Sequence, residues 1–166
     1  MKNKQMTMNE LKNHITDFLK ERSQGSLATC VDQVPRSSPV RYYLGNNMNI
    51  YILSAGGEKF NAIEQNPRVC LLVNTDYVDF RQIKGVQIFG RAITSLQEPH
   101  LFNEAQQQCK MLEERKYQLH GLMVIKVLPE EIVYLNSLGD GDRTKQFLKL
   151  NKAVDESNEY RAAKKF

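Results

Sequence analysis

The apolar residues near the start of the chain recur with a helical period. A Thr-x-x-Glu pair at Thr7 and Glu10 precedes them and has the form of a capping box, and Gly25 is expected to end the helix. Residues at i, i+4, i+7 and i+8 share one helix face, so this helix packs through a single apolar stripe. The stripe consists of Leu11, Ile15, Phe18 and Leu19.

Short β-prone runs separated by turn residues follow as far as Asn74. Residues 32–35 and 45–47 are predicted turns, and Gly56-Gly57 opens a short helix that Asn66-Pro67 ends. Hairpins joined in this way are typical of a small antiparallel barrel. The four predicted strands are 25–31, 36–44, 48–54 and 68–74.

The second half of the chain contains both strand-like alternation and helix-like spacing of apolar residues. Residues 75–80 fit either a loop or an edge strand. Gly85 and Gly90 lie within an alternating run, where glycine marks a bend or a close backbone approach. Beyond residue 81 the pattern predicts a strand at 82–95, a helix at 98–119, a strand at 122–128, a turn at 129–131, a short strand at 132–135 and a helix at 143–154.

The composition is that of a globular protein, and the predicted elements make it mainly β with flanking helices. The 166 residues, of which 41% are hydrophobic and 25% charged, fit one domain over 1–166. No apolar run approaches the ~20 residues of a membrane span, and the polar start lacks a secretory pattern. Three widely spaced cysteines fit reduced thiols, which predicts a cytoplasmic protein.

The net charge of +4 is concentrated near the C-terminus. Residues 142–166 contain seven Lys or Arg and four acids, and they are predicted to form a basic helical segment. Such a segment can contact nucleic acid or an anionic membrane, but a solvated helix end is the interpretation that the interleaved acids favour. We therefore expect no membrane partner and do not favour nucleic acid.

Common catalytic and metal-binding signatures are missing from the sequence. It has no dinucleotide fingerprint, Walker loop, nucleophile elbow or His-Glu-x-x-His motif. His14, His100 and His120 lack ligand spacing, so no metal site is expected. Cys30 and Cys70 are expected to be buried small hydrophobic residues rather than a reactive pair.

The polar residues of the first half suit a phosphate group. Glu58 and Lys59 begin the short helix, where free N–H groups, the helix dipole and the Lys59 charge favour an anion. Arg36 and Arg41 are five residues apart, so alternation puts them on opposite strand faces unless a bulge at Pro39 intervenes. A solvated surface position is the alternative for each of these residues. Nearby hydroxyls come from Ser37, Ser38 and Ser54.

Several runs in this order resemble the pyridoxamine 5'-phosphate oxidase-like FMN-binding split barrels. The resemblance extends over about residues 7–135, which it implies are the core of the domain. The runs are Ser26-Leu-Ala-Thr-Cys-Val, Pro35-Arg-Ser-Ser-Pro-Val-Arg-Tyr, Ile50-Tyr-Ile-Leu-Ser54 followed by Lys59, Asn66-Pro-Arg-Val-Cys-Leu-Leu-Val73, Gly85-Val-Gln-Ile-Phe-Gly-Arg91, and Val124-Ile-Lys-Val-Leu-Pro-Glu-Glu-Ile-Val-Tyr134.

The resemblance implies a homodimeric split β-barrel of Greek-key type, with two FMN sites shared across the interface. It implies that residues 36–41 lie along the flavin, with Arg36 or Arg41 near the phosphate or the ring. Lys59 would bind the phosphate beside Glu58, and Gln87 would face the ring or its rim. Backbone groups that meet the isoalloxazine edge would come from Val40, Ile52, Leu53 and Ser54.

The chain also departs from the oxidase itself. Glu58-Lys59 stands where the family has a basic pair, and residues 142–166 contain no counterpart of the oxidase's substrate-binding segment. The resemblance therefore implies an FMN-dependent oxidoreductase of unidentified substrate, reduced by a nicotinamide nucleotide or another cellular reductant, with no catalytic residue assigned. The alternatives are a non-catalytic flavin or haem binder or sensor, a deazaflavin in place of FMN, and a nucleic-acid-binding barrel. The last is disfavoured because exposed aromatic pairs do not cluster on one strand.

Overall fold

The computed structural model describes residues 5–108 and 121–150. These residues form seven antiparallel strands and three helices, which confirms a mainly β fold with flanking helices. The strands are β1 (Gln24–Val31), β2 (Val34–Leu44), β3 (Ile50–Ser54), β4 (Arg68–Asn74), β5 (Lys84–Thr94), β6 (Met123–Asn136) and β7 (Gln146–Lys149). The helices are α1 (Met8–Glu21), α2 (Glu58–Gln65) and α3 (Leu101–Gln108).

The sheet closes into a ring. Its strand order is β3-β2-β1-β4-β5-β6-β7, and an additional pairing of β3 with β6 completes the barrel. Three hairpin-connected strands followed by a fourth that returns beside the first make a Greek key. Closure gives the strands of the ring a hydrogen-bonded neighbour on each side for part of their length, which removes most free edges.

The long strand β6 divides the barrel. Its first half pairs with β3 and its second half with β7, while both halves pair with β5. The predicted turn at 129–131 and the separate short strand at 132–135 are therefore wrong. The register shifts between Phe89 and Gly90, opposite Pro129, so a bulge lets the strand continue. A Cβ on Gly90 would lie 2.1 Å from the Leu128 oxygen, which confirms the predicted close approach.

The N-terminal half follows the sequence pattern closely. The Thr7–Glu10 capping box is present, and the predicted apolar stripe of α1 is buried. The β1–β2 turn uses Asp32 and Gln33 with φ of 50° and 64°, the twist that a two-residue hairpin favours. The prediction that Gly25 ends α1 is wrong, because the helix ends at Glu21. Gly25 instead lies in β1, where a Cβ would lie 2.6 Å from the Leu72 oxygen.

The C-terminal prediction is wrong where the structure describes it. Residues 146–149 form strand β7 rather than a helix, because Gln146 and Leu148 alternate with exposed neighbours and are buried. Residues 151–154 of the predicted helix lie outside the described residues. The helix predicted at 98–119 begins at Leu101 instead, and its residues 109–119 also lie outside the described residues. Residues 75–80 form a turn with one isolated bridge between Asp79 and Gln82.

Two apolar clusters hold the fold together. The main core fills the barrel beneath α1 and includes Phe18, Tyr42 and Ile52, whereas the second cluster lies beneath α3 and includes Tyr51. The expectation of buried cysteines is only partly met, because Cys30 and Cys70 are half-buried. Both face away from the main core. Among the described residues, none of the helices is long and apolar enough to span a membrane.

Candidate functional site

The barrel opens where β2 and β3 separate. Their pairing runs from Leu44↔Ile50 to Tyr42↔Ile52 and ends there. Beyond this point the Val34–Arg41 part of β2 pairs with β1, and Leu53–Ser54 continues along β6, among the described strands. The β3 segment leads to the start of α2. We call the region defined by residues 36–41, 52–54 and 56–59 the β2–β3 cleft.

The free edge of β2 presents a defined set of backbone groups to the cleft. The Tyr42 N–H donates to the Ser23 carbonyl (2.9 Å), so even-numbered residues of β2 face β1. Alternation in an antiparallel ladder then turns the N–H groups of odd-numbered residues towards the open edge. Pro35 and Pro39 occupy two of these odd positions and have no N–H to leave unpaired. The open edge therefore offers the N–H groups of Ser37 and Arg41.

Arg36 and Arg41 stand on opposite faces of β2, as alternation predicts. The β1–β2 register is continuous from Gln24↔Arg41 to Val31↔Val34, so Pro39 causes no bulge. Arg36 pairs with Thr29, whose side chain is buried on the core side of the sheet. Arg41 therefore points the other way. Both arginines are exposed, so neither charge is committed to the core.

Ser54, Gly56 and Lys59 converge where β3 passes into α2. The Ser54 hydroxyl and the Gly56 backbone bond to each other at 3.1 and 3.3 Å. The Lys59 ammonium donates to the Gly56 carbonyl at 2.6 Å, so its charge lies over the first turn of α2. The N-cap Gly57 has φ of 104° and, within the described residues, provides no side-chain cap. The Phe60 N–H donates to the Gly57 carbonyl at 3.1 Å, so the N–H groups that would favour an anion are those of Glu58 and Lys59, although the exposed Glu58 carboxylate opposes one.

Three predicted cofactor-contact residues have apolar side chains that the fold already uses. Val40 and Ile52 are 8% and 0% exposed and belong to the main core. Leu53 packs against the second cluster beneath α3. Only the backbone groups of these residues are available to a ligand in the cleft, which is the role that the sequence resemblance implies. Ser38 is half-buried on the same side as Val40, and Ser37 is exposed on the opposite side.

Gln87 does not join the cleft of its own chain. It lies in the middle of β5, separated from β2 by β1 and β4, which is about 14 Å at three strand spacings. Its side chain belongs to a face that points away from the core. We call this face, defined by Cys70, Leu72, Gln87, Phe89, Val133 and Phe147, the outer face. On it Leu72, Phe89 and Phe147 are 37%, 39% and 54% exposed.

A second polar cluster lies beneath α3, away from the cleft. The Glu104 carboxylate accepts hydrogen bonds from Tyr51 and Lys126, both at 2.5 Å. Burial raises the pKa of Glu104, but hydrogen bonds from Lys126 and Tyr51 lower it further, so this pKa lies below its usual value. His100 lies 3.8 Å from the same carboxylate. The cluster joins α3 to β3 and β6 and thereby positions that helix.

Metal ligation finds no support in the described parts of the chain. No three His, Cys, Asp or Glu side chains there converge in a way that could hold a metal ion. His14 and His100 are exposed, and His120 lies outside the described residues. Burial raises the pKa of the Cys70 thiol, which disfavours the reactive thiolate form.

Comparison with known families shows to which family this chain belongs. A family model described as pyridoxamine 5'-phosphate oxidase matches residues 11–136, which include β1 to β6 and the whole cleft. The chain belongs to this family. The ring of six antiparallel strands, with β7 added beside β6, is the split barrel that the sequence resemblance implies.

Solved structures of other proteins share this fold at low sequence identity. An FAD-binding protein from Mesorhizobium loti is 22% identical with a TM-score of 0.56, over 72% of this chain and 90% of that one. General stress protein 26 from Bacillus anthracis is 20% identical with a TM-score of 0.57, over 85% and 99%. A heme-binding protein from Mycobacterium smegmatis is 17% identical with a TM-score of 0.59, over 78% and 54%. The chain matches no curated protein sequence.

Two features of the cleft escaped sequence reasoning. The first is the pair of open-edge N–H groups on Ser37 and Arg41, although prolines at two odd positions of one strand could have indicated that edge. The second is the Gly56 carbonyl, which receives Lys59. No local sequence pattern shows where an ammonium group will rest, because that depends on the left-handed backbone at Gly56 and Gly57.

Proposed function

We propose that this protein is a homodimeric flavoprotein that binds FMN in the β2–β3 cleft and acts as an oxidoreductase. Family membership across the cleft, together with the convergence of Lys59 on the uncapped start of α2, carries the proposal. A flavin, when bound, supplies the two-electron redox chemistry, and the protein supplies binding and electrostatics. A reduced nicotinamide nucleotide is the electron donor that we propose, and free Cys30 and Cys70 agree with a reducing cytoplasm.

The cleft has suitable donors for each part of FMN. Lys59, the Ser54 hydroxyl and the first N–H groups of α2 would bind the phosphate, which carries close to two negative charges at pH 7. The open-edge N–H groups of Ser37 and Arg41 would donate to carbonyl and nitrogen acceptors of the ring. The exposed Arg36 and Arg41 charges flank this edge, and only one of them can point to a ligand on a given face.

The outer face supports the homodimer and gives Gln87 a role. Leu72, Gln87, Val133 and Phe147 pair in sequence to form a row across the sheet, in which Leu72 and Phe147 are the exposed apolar side chains. Burying such a face against a second copy would remove apolar area from water, at roughly 25 cal/mol per Å². In that arrangement Gln87 would approach the cofactor of the other subunit rather than that of its own.

A non-catalytic haem-binding or haem-sensing protein is the second candidate. It is favoured by one observation, the similar fold of the heme-binding protein from Mycobacterium smegmatis. The described residues offer exposed His14 and His100 as nitrogen ligands, and neither lies in the cleft. The FAD-binding protein from Mesorhizobium loti favours a flavin, and the single Lys59 suits the one phosphate of FMN.

An absorption spectrum of the purified protein, before and after incubation with FMN, separates the candidates. Flavin bands that sharpen on binding, with one FMN per chain and a mass near twice 19.2 kDa, are the expected result. A Soret band without flavin bands would reject the flavin in favour of haem. If the bound flavin were not reduced by either nicotinamide nucleotide, the proposed electron donor would be wrong, although the proposal that the protein binds FMN would stand.

Arginine substitutions test how the flavin lies on β2. Because Arg36 and Arg41 face opposite sides, Arg36→Ala and Arg41→Ala should weaken FMN binding unequally, by a factor of about ten or more between them. Fluorescence titration of each variant measures this ratio. If both variants lost FMN affinity equally, the two arginines would have to contact the flavin alike. That would contradict the opposite orientations that the continuous β1–β2 register gives them.

A further inference from the structure

The turn between β4 and β5 holds apolar side chains out in solvent. Tyr77, Val78 and Phe80 are 58%, 73% and 78% exposed, the highest values for large hydrophobic residues among those described. We call residues 75–82 the hairpin tip. Three such side chains within four residues form an exposed apolar patch of the kind that marks an interaction site.

Hydrogen bonds give the hairpin tip a defined shape. The Val78 N–H donates to the Gln82 carbonyl, and the Gln82 N–H donates to the Asp79 carbonyl, both at 3.0 Å. The Asp79 carboxylate accepts from the Phe80 N–H at 2.6 Å. Because the backbone is fixed in this way, the apolar side chains cannot easily fold back onto the barrel. The tip therefore presents a preformed surface to a partner.

The opposite end of the same hairpin carries two arginines. Arg68 and Arg91 stand directly opposite each other on β4 and β5. Both bind Glu130, at 3.1 and 3.4 Å, and their side chains remain 64% and 52% exposed. One carboxylate between two guanidinium groups leaves one positive charge uncompensated. Each arginine also keeps N–H donors that Glu130 does not use.

The hairpin is thus self-complementary along its length. The hairpin tip contains Asp76 and Asp79 against Arg81. The adjoining loop adds Arg143, which donates to the Arg81 carbonyl at 3.3 Å, and Asp140 and Asp142 on either side of Gly141, so the region keeps a net negative charge. Leu72 and Phe89 make the middle of the hairpin apolar, and the arginine pair ends it. A two-fold axis perpendicular to the strands would place each end on the opposite end of a second copy. The apolar middles would then meet each other.

We propose that each hairpin tip docks onto the Arg68–Arg91 pair of a second copy of this chain. This inference rests on the proposed homodimer and specifies how its two subunits are oriented. Opposite charges would meet, and exposed guanidinium groups could stack on the Tyr77 ring, since the Phe80 ring already has the Arg81 guanidinium over it at 5.6 Å. The seven residues of β4, about 23 Å long, set the distance between the two contacts.

A charge exchange tests the contact in the full-length protein saturated with FMN. Asp76→Lys and Arg68→Glu should each raise the dimer dissociation constant about tenfold or more, because symmetry repeats the contact. The double variant should return to within about threefold of wild type. Phe80→Ser should also weaken the dimer. Analytical ultracentrifugation measures all four, with thermal unfolding to verify that each variant is folded.

Matched controls separate this contact from general surface effects. Glu64→Lys, at an exposed site on α2, and Leu96→Ser, at a residue 53% exposed, should leave the dimer unchanged. The docking would be wrong, and the homodimer still possible, if the double variant dimerised more weakly than either single variant. The same holds if Phe80→Ser left the dimer dissociation constant as low as Leu96→Ser does. A wild-type protein that binds FMN as a monomer would overturn both.

Discussion

Replacing Lys59 with alanine should weaken FMN binding far more than riboflavin binding. The ammonium group lies over the first turn of α2 and uses one of its three donors on the Gly56 carbonyl, at 2.6 Å. Two donors remain for a phosphate. A hydrogen bond to a charged group contributes about 1.5–3 kcal/mol, so the dissociation constant for FMN should rise about 10- to 150-fold.

Riboflavin lacks the phosphate, and it therefore isolates the charge contact from any change in the loop. Losing the bond to Gly56 affects both ligands alike, so the ratio of the two dissociation constants reports the phosphate contact alone. Fluorescence titration with each ligand gives this ratio, and Lys12→Ala, at an exposed site on α1, is the matched control. Glu58→Gln should shift the ratio modestly in the other direction because it removes an opposing charge.

A wild-type protein that binds FMN and riboflavin equally well would refute this reasoning. The same conclusion would follow if Lys59→Ala weakened both ligands by the same factor. In that case Lys59 would act only by supporting the Gly56 backbone, and the phosphate would have to lie elsewhere along the cleft.

The remaining predictions concern the stability of the fold. Gly90→Ala should lower the free energy of unfolding by about 3 kcal/mol or prevent folding, since its Cβ would lie 2.1 Å from the Leu128 oxygen. Urea denaturation measures this loss, and Gly139→Ala is the control because a Cβ there would meet open space. Thr94→Val should raise stability by about 1 kcal/mol in the same assay, because the buried hydroxyl has no partner among the described residues, and a loss would reveal a partner. Glu104 has a lowered pKa in the folded protein, so its contribution is present at neutral pH and is lost as the pH falls through that value. Glu104→Gln should therefore flatten the acid side of the stability–pH curve, and an unchanged curve would contradict the assignment.

Sequence patterns predicted the fold best where local rules and tertiary packing agree. The capping box at Thr7 and the turn residues between the first four strands act within a few positions, so they could be recognised without knowledge of distant contacts. Pro129 was mistaken for the end of a strand. It continues β6 because Glu130 forms a bulge opposite Phe89 and Gly90, about forty residues earlier, where the glycine leaves room for the Leu128–Pro129 backbone. Such a compensation between two strands has no local signal.

The C-terminal strand β7 is a second case in which a distant contact, rather than the local sequence, decides the structure. Residues 146–149 alternate between buried and exposed positions, but the run is only four residues long and lies within a basic stretch that resembles a helix end. Its pairing with the second half of β6 decides its structure. That half of β6 is free to accept a strand because β3 leaves it at Val127, where the barrel splits.

The sequence indicated which residues could form the candidate site, but not how the fold arranges them relative to one another. Alternation correctly separated Arg36 from Arg41, because it depends on one strand alone. The position of Gln87 depends on the strand order, which places β1 and β4 between β5 and β2 on one side of the ring and β6 between β5 and β3 on the other. A residue on the outer face can reach a flavin only if a second copy brings its cleft to that face. If Gln87 contacts the flavin, as we propose, that contact requires the homodimer, and dissociation of the dimer should then release the flavin.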